Sequence, residues 1–203
     1  MNERRRHWDS AYTERKETEV SWFQETAEPS LGLILKHSNP DHSVIDIGAG
    51  TSRLVDGLLD RGYADITLVD ISQIALEKTR LRLGTAATGI SFLEVDVTAW
   101  APQRMWNVWH DRAVFHFLVA DADQAAYLAA MDKGTRPGSV IILGTFALYG
   151  PEKCSGLPVQ RYSARSLQDR IGTRYRLIES VGHVHRTPAG REQAFTFAIF
   201  VKN

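Results

Sequence analysis

The chain has 203 residues, 43% of them hydrophobic and 24% charged, so it is long enough to bury the core of a soluble domain. Lysine plus arginine equals aspartate plus glutamate at 24 each, which disfavours a nucleic acid or an anionic membrane as partner. A single cysteine, Cys154, excludes an intramolecular disulfide. No apolar run is long enough for a membrane span and no signal peptide begins the chain, so we expect a cytoplasmic protein.

Strand-like and helix-like segments alternate from residue 43 onward, which is typical of a parallel sheet covered by helices. Without repeats or linkers, the pattern predicts one domain over residues 1–203. The predicted strands are residues 43–47, 66–69, 90–95, 106–112 and 139–146. The predicted helices are residues 52–61, residues 72–83 after a Ser72 cap, a helix through Met131 capped by Asp121 or Asp123, and a short helix over residues 163–171 with a Ser cap.

The end of the chain has a different pattern. Residues 175–184 and 194–201 are strand-like, and only a short polar segment separates them. That connection leaves no room for a crossover helix, so the two runs predict an antiparallel hairpin. Seven strands ending in such a hairpin differ from the plain dinucleotide-binding arrangement.

The first strand leads into VIDIGAGTSRL, residues 44–54, an order typical of a strand, a tight turn and a helix around a bound nucleotide. The dinucleotide fingerprint requires glycine at positions 48, 50 and 53. Gly48 and Gly50 are present, but position 53 is Arg53. The loop therefore argues against a nicotinamide cofactor.

Three successive predicted strands end in aspartate: Asp70, Asp96 and Asp111. Ligands of open parallel sheets bind beyond the carboxyl ends of the strands. Asp70 stands where an acid that accepts both ribose hydroxyls is expected, although an acid there also favours a helix N-terminus. Asp96 is a candidate acceptor for an exocyclic amine, or a turn acid. Asp111 is a site candidate, or an ion-pair partner of Arg112.

The segments VIDIGAGTSRL, TLVDIS, FLEVDV and WHDRAVFHFL, in this order, resemble the class I S-adenosylmethionine-dependent methyltransferases. The resemblance covers nearly the whole chain. It implies an α/β, Rossmann-like fold with a seven-stranded, mostly parallel sheet of order 3-2-1-4-5-7-6, strand 7 antiparallel and helices on both faces. Ser52 stands at the family's third glycine position, where a small residue that caps the next helix would preserve the turn.

The resemblance also implies S-adenosylmethionine as the cofactor and S-adenosylhomocysteine as the product. The cofactor carries the chemistry, so the protein need only align the acceptor and exclude water. The cofactor-binding candidates are Asp46, Gly48 and Gly50 for the methionine portion, Asp70 for the ribose, Ile71, Asp96 and Val97 for the adenine, and Asp111. The catalytic candidates are His116, as a base, and Asp111.

For the acceptor, the same resemblance implies that residues 1–42 form a helical lid over a catalytic core of residues 43–203. Tyr12, Trp22 and Phe23 are then substrate contacts, or they merely pack the lid. Arg161 and Tyr162 lie in a loop after the fifth strand and are further substrate candidates, as is His116. His183 and His185 share a strand face, but no third ligand is near in sequence, so we expect no metal.

EVSWFQ and DRAVFHFL also resemble the subset of the family that includes eukaryotic protein-lysine methyltransferases and their bacterial relatives. The expected partner is a protein or a small molecule that accepts a methyl group on nitrogen, sulfur or oxygen, with no nucleic acid and no membrane. A protein lysine competes with a small-molecule thiol or carboxylate as acceptor. A nicotinamide-dependent oxidoreductase and a non-catalytic cofactor-binding module are the alternatives.

Overall fold

The computed structural model describes residues 3–203, in which one seven-stranded sheet dominates. Its strands are β1 (Val44–Ile47), β2 (Ile66–Asp70), β3 (Ile90–Glu94), β4 (Trp106–Arg112), β5 (Thr135–Phe146), β8 (Tyr175–Arg186) and β9 (Glu192–Lys202). Two short strands, β6 (Lys153–Cys154) and β7 (Leu157–Pro158), form a separate hairpin. The helices are α1 (Glu3–Glu14), α2 (Ser30–His37), α3 (Leu54–Asp60), α4 (Gln73–Leu83), α5 (Asp121–Lys133) and α6 (Ala164–Ile171).

The sheet order is β3-β2-β1-β4-β5-β9-β8. Strands β1 to β5 pair in parallel, and β9 runs antiparallel to both β5 and β8. Because β8 and β9 are the sixth and seventh strands of the main sheet along the chain, the predicted order and the predicted terminal hairpin are confirmed. Strands β1 and β2 are buried on both faces, as their continuous apolar runs indicate, whereas the edge strand β3 is partly exposed.

The core forms two clusters, one on each face of the sheet. Val44 and Val108 point into the cluster that contains residues of α2, α3 and α4, whereas Ile45 and Trp109 point into the cluster around α5 and α6. Because side chains alternate between the two faces of a strand, the direction of Val108 and Trp109 also fixes the face to which each following residue of β4 points. Helices therefore cover both faces, as predicted.

The helix caps agree with the sequence in part. Ser72 Oγ accepts a hydrogen bond from the Ala75 N–H at 3.3 Å, which confirms that cap. The predicted cap at Asp121 or Asp123 is wrong, because α5 begins at Asp121 and Ala120 occupies the cap position. At the start of α3 the cap position is Arg53, and Ser52 Oγ accepts from the Leu54 N–H at 3.1 Å from one residue earlier.

The segment before β1 folds as α1, a single 3-10 turn at Glu17–Glu19, an irregular stretch and α2. Helix α1 packs on α4 and lies over the carboxyl ends of β2 and β3. No helix among residues 3–203 has the length and apolarity that a membrane crossing needs.

Candidate active site

A cavity of about 190 Å³ lies at the carboxyl ends of β1 to β4, beneath α1 and residues 22–27. Most of the predicted cofactor and acceptor residues line it. These are Asp46, Gly48, Gly50, Asp70, Ile71, Asp96 and Val97 from the core, and Tyr12, Trp22 and Phe23 from the N-terminal segment. The strand-end rule therefore located the cavity, and the structure brings these residues together.

In the glycine loop after β1, each of the two glycines leaves room for a different neighbouring side chain. Gly48 has φ +68° and Gly50 has φ +52°, in the left-handed region that favours glycine. A Cβ added at Gly48 would overlap Cγ2 of Val114, and one added at Gly50 would overlap the hydroxyl of Tyr12. The loop is thus closely covered from both sides, which fits a backbone that approaches a ligand.

Asp70 joins β2 to the glycine loop. One carboxylate oxygen accepts the Gly50 N–H at 2.8 Å, and the other accepts the Ser72 N–H at 2.8 Å. The side chain is only 6% exposed. Burial raises the pKa of Asp70 to about 6, while the bonds from Ser72 and Gly50 hold it down. A carboxylate has lone pairs left after two such bonds, so Asp70 retains capacity for a hydroxyl donor.

Asp96 follows β3 and caps a short turn. Its Oδ1 accepts from the backbone N–H of Thr98 at 3.0 Å and from the Thr98 hydroxyl at 2.7 Å. Its other oxygen lies 4.0 Å from the Arg4 guanidinium. Asp96 therefore caps a turn and also lines the cavity. A structural role in the turn is compatible with contact to a ligand.

Polar contacts hold α1 against the core. Arg5 pairs with Glu94 at 2.5 Å, and Arg4 pairs with Asp123. Asp9 accepts a hydrogen bond from Ser72 Oγ at 2.6 Å. These contacts hold α1 over the cavity, whose volume of about 190 Å³ is below the roughly 300 Å³ that is common for ligand cavities.

Asp46 and His110 form a buried pair on the floor of the cavity. His110 Nδ1 lies 2.6 Å from Asp46 Oδ1, and His110 Nε2 lies 2.8 Å from Ser30 Oγ. Both ring nitrogens are therefore engaged within the protein. The arrangement fixes the orientation of Asp46 beside the glycine loop and leaves His110 with a positioning role.

Aromatic rings form the wall below α1. Trp8 makes edge contacts with Trp22 at 5.7 Å and with Phe117 at 5.1 Å between ring centroids, and Tyr12 contacts Trp22 at 5.8 Å. These rings line the cavity, so their packing does not exclude ligand contact. Buried aromatic surface of this kind favours a flat or apolar ligand.

Asp111 does not line the cavity. It follows His110 on β4, so its side chain points to the opposite face of the sheet. There its oxygens accept from the N–H groups of Val114 and Phe115, at 2.8 and 3.0 Å, and from the hydroxyl of Tyr127 at 2.6 Å. Burial raises its pKa to about 6. The geometry gives Asp111 a structural role on the face of the sheet opposite the cavity.

His116 is also turned away from the cavity. It is fully buried against the rings of Phe117 and Phe146, and its Nδ1 accepts from the Phe146 N–H at 3.3 Å. Burial and the charge of Arg112 lower its pKa to about 3. A histidine that is this reluctant to take a proton, and that does not face the cavity, is a poor general base.

Arg161 and Tyr162 do not reach the cavity either. Arg161 donates to the Gly150 carbonyl and to Glu152, both at 3.1 Å, and so closes its own loop. Tyr162 is 4% exposed and packs on Phe115 at 5.6 Å between ring centroids. Their loop contributes Cys154 and Leu157 to the cavity instead.

The lining also contains residues outside the predicted site, among them His110, Arg112 and Trp8, for which the sequence favoured mere packing. The signal for two of them was present in the alternation along β4. Val108 points into the α2 face, so His110 and Arg112 share that face while Asp111 does not. For Trp8, only the fold of α1 over the sheet shows that it reaches the cavity.

Comparison with known proteins agrees with this geometry. Residues 44–138 match the family model described as a methyltransferase domain. The eEF1A lysine and N-terminal methyltransferase of Mus musculus is 28% identical over 119 residues, which are 58% of this chain and 17% of that protein. The chain thus corresponds to a small part of that relative.

Solved structures share the fold. A protein studied for the conversion of a disulfide bond into a thioacetal group during echinomycin biosynthesis has a TM-score of 0.77 at 18% identity, covering 98% of this chain and 92% of its own. The 1,6-didemethyltoxoflavin-N1-methyltransferase of Burkholderia thailandensis, bound to 1,6-didemethyltoxoflavin and S-adenosylhomocysteine, has a TM-score of 0.71 at 20% identity, covering 90% and 80%. The matched model, the strand order and the motifs together identify residues 44–138 as a class I S-adenosylmethionine-dependent methyltransferase domain.

Proposed function

We propose that this protein binds S-adenosylmethionine along the carboxyl ends of β1, β2 and β3 and methylates a small molecule on nitrogen, sulfur or oxygen. The observation that carries the cofactor assignment is the tie between Asp70 and the Gly50 N–H at 2.8 Å. Through this hydrogen bond, Asp70, the residue proposed for the ribose, lies directly beside the two-glycine loop. The residues that would hold the cofactor are Asp46, Gly48, Gly50, Asp70, Ile71, Asp96 and Val97.

The size of the cavity supports a small acceptor. Helix α1 covers the cavity from the side of β2 and β3, where Arg5 and Asp9 hold it to the core, and the rings of Trp8 and Trp22 add to this cover. When bound, the cofactor supplies a methyl group on a charged sulfur, so an acceptor lone pair forms the new bond as the old carbon–sulfur bond breaks. The protein contributes alignment and exclusion of water, which enclosure serves directly.

A protein lysine is the second candidate acceptor, because the mouse relative is named as a lysine and N-terminal methyltransferase. The deciding experiment incubates the protein with methyl-tritiated S-adenosylmethionine and a cell lysate. We expect label in the small-molecule fraction. Label that appears only in protein would replace the small-molecule proposal with the second candidate.

Cofactor binding has its own test. Isothermal titration with S-adenosylhomocysteine should show one site, and absence of binding by both this product and S-adenosylmethionine would refute the proposed function. A non-catalytic module would bind but transfer no label. The single domain with a lid of residues 1–42 and a core of residues 43–203, and the cytoplasmic location, remain predictions.

A further inference from the structure

Arg112 is a half-buried cation that the proposed chemistry does not use. It lies at the end of β4, is one of the residues that line the cavity, as are Cys154 and Leu157, and donates from Nη1 to the Trp22 carbonyl at 3.2 Å. Its Nε and Nη2 are buried and have no hydrogen-bond partner among residues 3–203. A buried charged group with unpaired donors is costly, so its retention calls for an explanation.

The surroundings of Arg112 leave its charge uncompensated. Burial lowers its pKa to about 10, so the guanidinium stays protonated at neutral pH. The neighbouring thiol of Cys154 has its pKa raised to about 11 by burial, so it is neutral and offers no thiolate. Asp46 acts on Arg112 only at a distance, because its carboxylate is bonded to His110 at 2.6 Å.

The geometry of the free donors points to a particular anion. Nε and Nη2 form one edge of the planar guanidinium, and two parallel N–H groups on that edge match the two oxygens of a carboxylate. The Arg112 Cζ lies over the ring of Phe195, 5.2 Å from its centroid, and this cation–π contact helps to hold the guanidinium in place.

The position of Arg112 separates it from the adenosine end of the cavity. Asp70 and Asp96 follow β2 and β3, whereas Arg112 is on β4 and stacks on a ring of β9, on the opposite side of β1 in the sheet. Its direct contacts are the Trp22 carbonyl and the ring of Phe195. We infer that the acceptor end of the cavity combines the Arg112 guanidinium with aromatic neighbours.

We propose that the methyl acceptor is a small carboxylate with an aromatic or apolar body, and that Arg112 is the residue that binds its carboxylate. This inference rests on the proposed function. It favours a small acid over a lysine acceptor, because a fixed guanidinium repels an ammonium group in a site of low dielectric. The methionyl carboxylate of the cofactor offers the same chemistry, so the test must separate the two sources.

The test uses probe pairs matched in size but not in charge: indole-3-acetate with indole-3-acetamide, and benzoate with benzamide. Each is titrated into the protein saturated with S-adenosylhomocysteine. We expect at least one acid to bind about tenfold or more tightly than its amide, as bonds to a charged group imply. Failure of both acids to bind, or equal binding of acid and amide, would overturn the inference.

Variants identify the responsible residue. Arg112→Gln should weaken binding of the acid by about tenfold to a hundredfold and change binding of the amide by less than about threefold. Arg112→Lys keeps the charge but loses the planar pair of donors, so its affinity for the acid should lie between those of the parent and of Arg112→Gln. Arg104→Gln is the matched control, since Arg104 also stacks on a ring at 5.2 Å but is exposed and paired with Asp65.

The carboxylate that Arg112 binds could belong to the acceptor or to the methionine portion of the cofactor, and Arg112→Gln gives opposite results in the two cases. If Arg112 serves the acceptor, Arg112→Gln binds S-adenosylhomocysteine within about threefold of the parent. A tenfold loss of S-adenosylhomocysteine affinity with unchanged binding of the acids would assign Arg112 to the cofactor and overturn the inference. Because the parent binds S-adenosylhomocysteine in every arm, a failure here is distinguishable from a failure of the proposed function.

Discussion

In the half of the cavity formed by β1, β2 and β3, the charged group is satisfied by the protein itself, since Asp70 accepts from Gly50 and Ser72. In the half formed by β4 and β9, two buried nitrogens of Arg112 have no hydrogen-bond partner among residues 3–203. The comparison teaches that the backbone itself satisfies the charged group in the proposed cofactor half, whereas the proposed acceptor half keeps donors that a ligand can fill. Changes in the first half should impair binding of the cofactor, and changes in the second should alter selectivity.

The largest expected effect is in the glycine loop. Gly48→Val should lower affinity for S-adenosylhomocysteine by more than about a hundredfold, because the added side chain meets Val114 as well as an unfavourable φ. Gly84→Val is the control: its φ is +56° but a Cβ there meets open space. Titration calorimetry should show near-normal binding for the control. Equal losses in both would mean that backbone strain alone matters.

The next effect concerns Asp70. Asp70→Asn should weaken S-adenosylhomocysteine binding by about tenfold to a hundredfold, because a hydroxyl donor loses a charged acceptor. Asp60→Asn, at an exposed position, should change nothing. Unchanged affinity in folded Asp70→Asn would remove the ribose assignment.

The pKa of Asp70 adds a pH test to that substitution. With its pKa raised to about 6, the carboxylate of the ligand-free protein becomes protonated as the pH falls through 6. If S-adenosylhomocysteine binds to the ionised form of Asp70, its affinity should therefore weaken below pH 6 in the parent. The affinity of Asp70→Asn should depend less on pH. A parent affinity that rises as the pH falls would contradict this role.

A smaller effect separates the two faces of β4. Tyr127→Phe removes a donor to Asp111 and should lower the free energy of unfolding by about 2 kcal/mol at pH 8. The folded pKa of Asp111 is raised to about 6, so protonation of this carboxyl stabilises the fold below about pH 4, and that contribution is lost as the pH rises through 6.

The Tyr127 bond favours the ionised form of Asp111, so the cost of Tyr127→Phe should be smaller at pH 4.5 than at pH 8. Urea unfolding at the two pH values measures this difference. Affinity for S-adenosylhomocysteine should stay within about twofold, since neither residue lines the cavity. A large loss of affinity for S-adenosylhomocysteine would instead indicate that Asp111 contributes to cofactor binding.

The smallest effect is at the cover. Replacing Arg4 and Arg5 with Gln removes the ion pairs of α1 with Asp123 and Glu94, each worth about 0.5–1 kcal/mol at partly exposed positions. Dissociation of S-adenosylhomocysteine in stopped flow should become a few-fold faster, and added salt should reduce the difference. Arg6→Gln, at an exposed position of α1, is the control. Unchanged rates would show that α1 does not limit release.

Prediction from the sequence succeeded where short-range pattern decides structure. The glycine loop, the Ser72 cap and the acids after β2 and β3 are each set by a few neighbouring residues and by the rule that parallel strands end at one edge. Asp111 shows the limit of that rule: it identified the right edge but not the right face. A one-residue step along a strand moves a side chain to the other side of the sheet.

The sequence by itself determined the α/β class and the tight glycine loop after β1, because hydrophobic periodicity and local turn chemistry specify these features, and its family resemblance predicted the strand order. Only the tertiary structure decided that His116 turns into the core, that Trp8 reaches the cavity and that Nε and Nη2 of Arg112 have no hydrogen-bond partner among residues 3–203. Whether a buried donor is satisfied depends on groups far apart in the chain. Phe195 and Trp22 reach Arg112 only after the sheet and its cover have assembled.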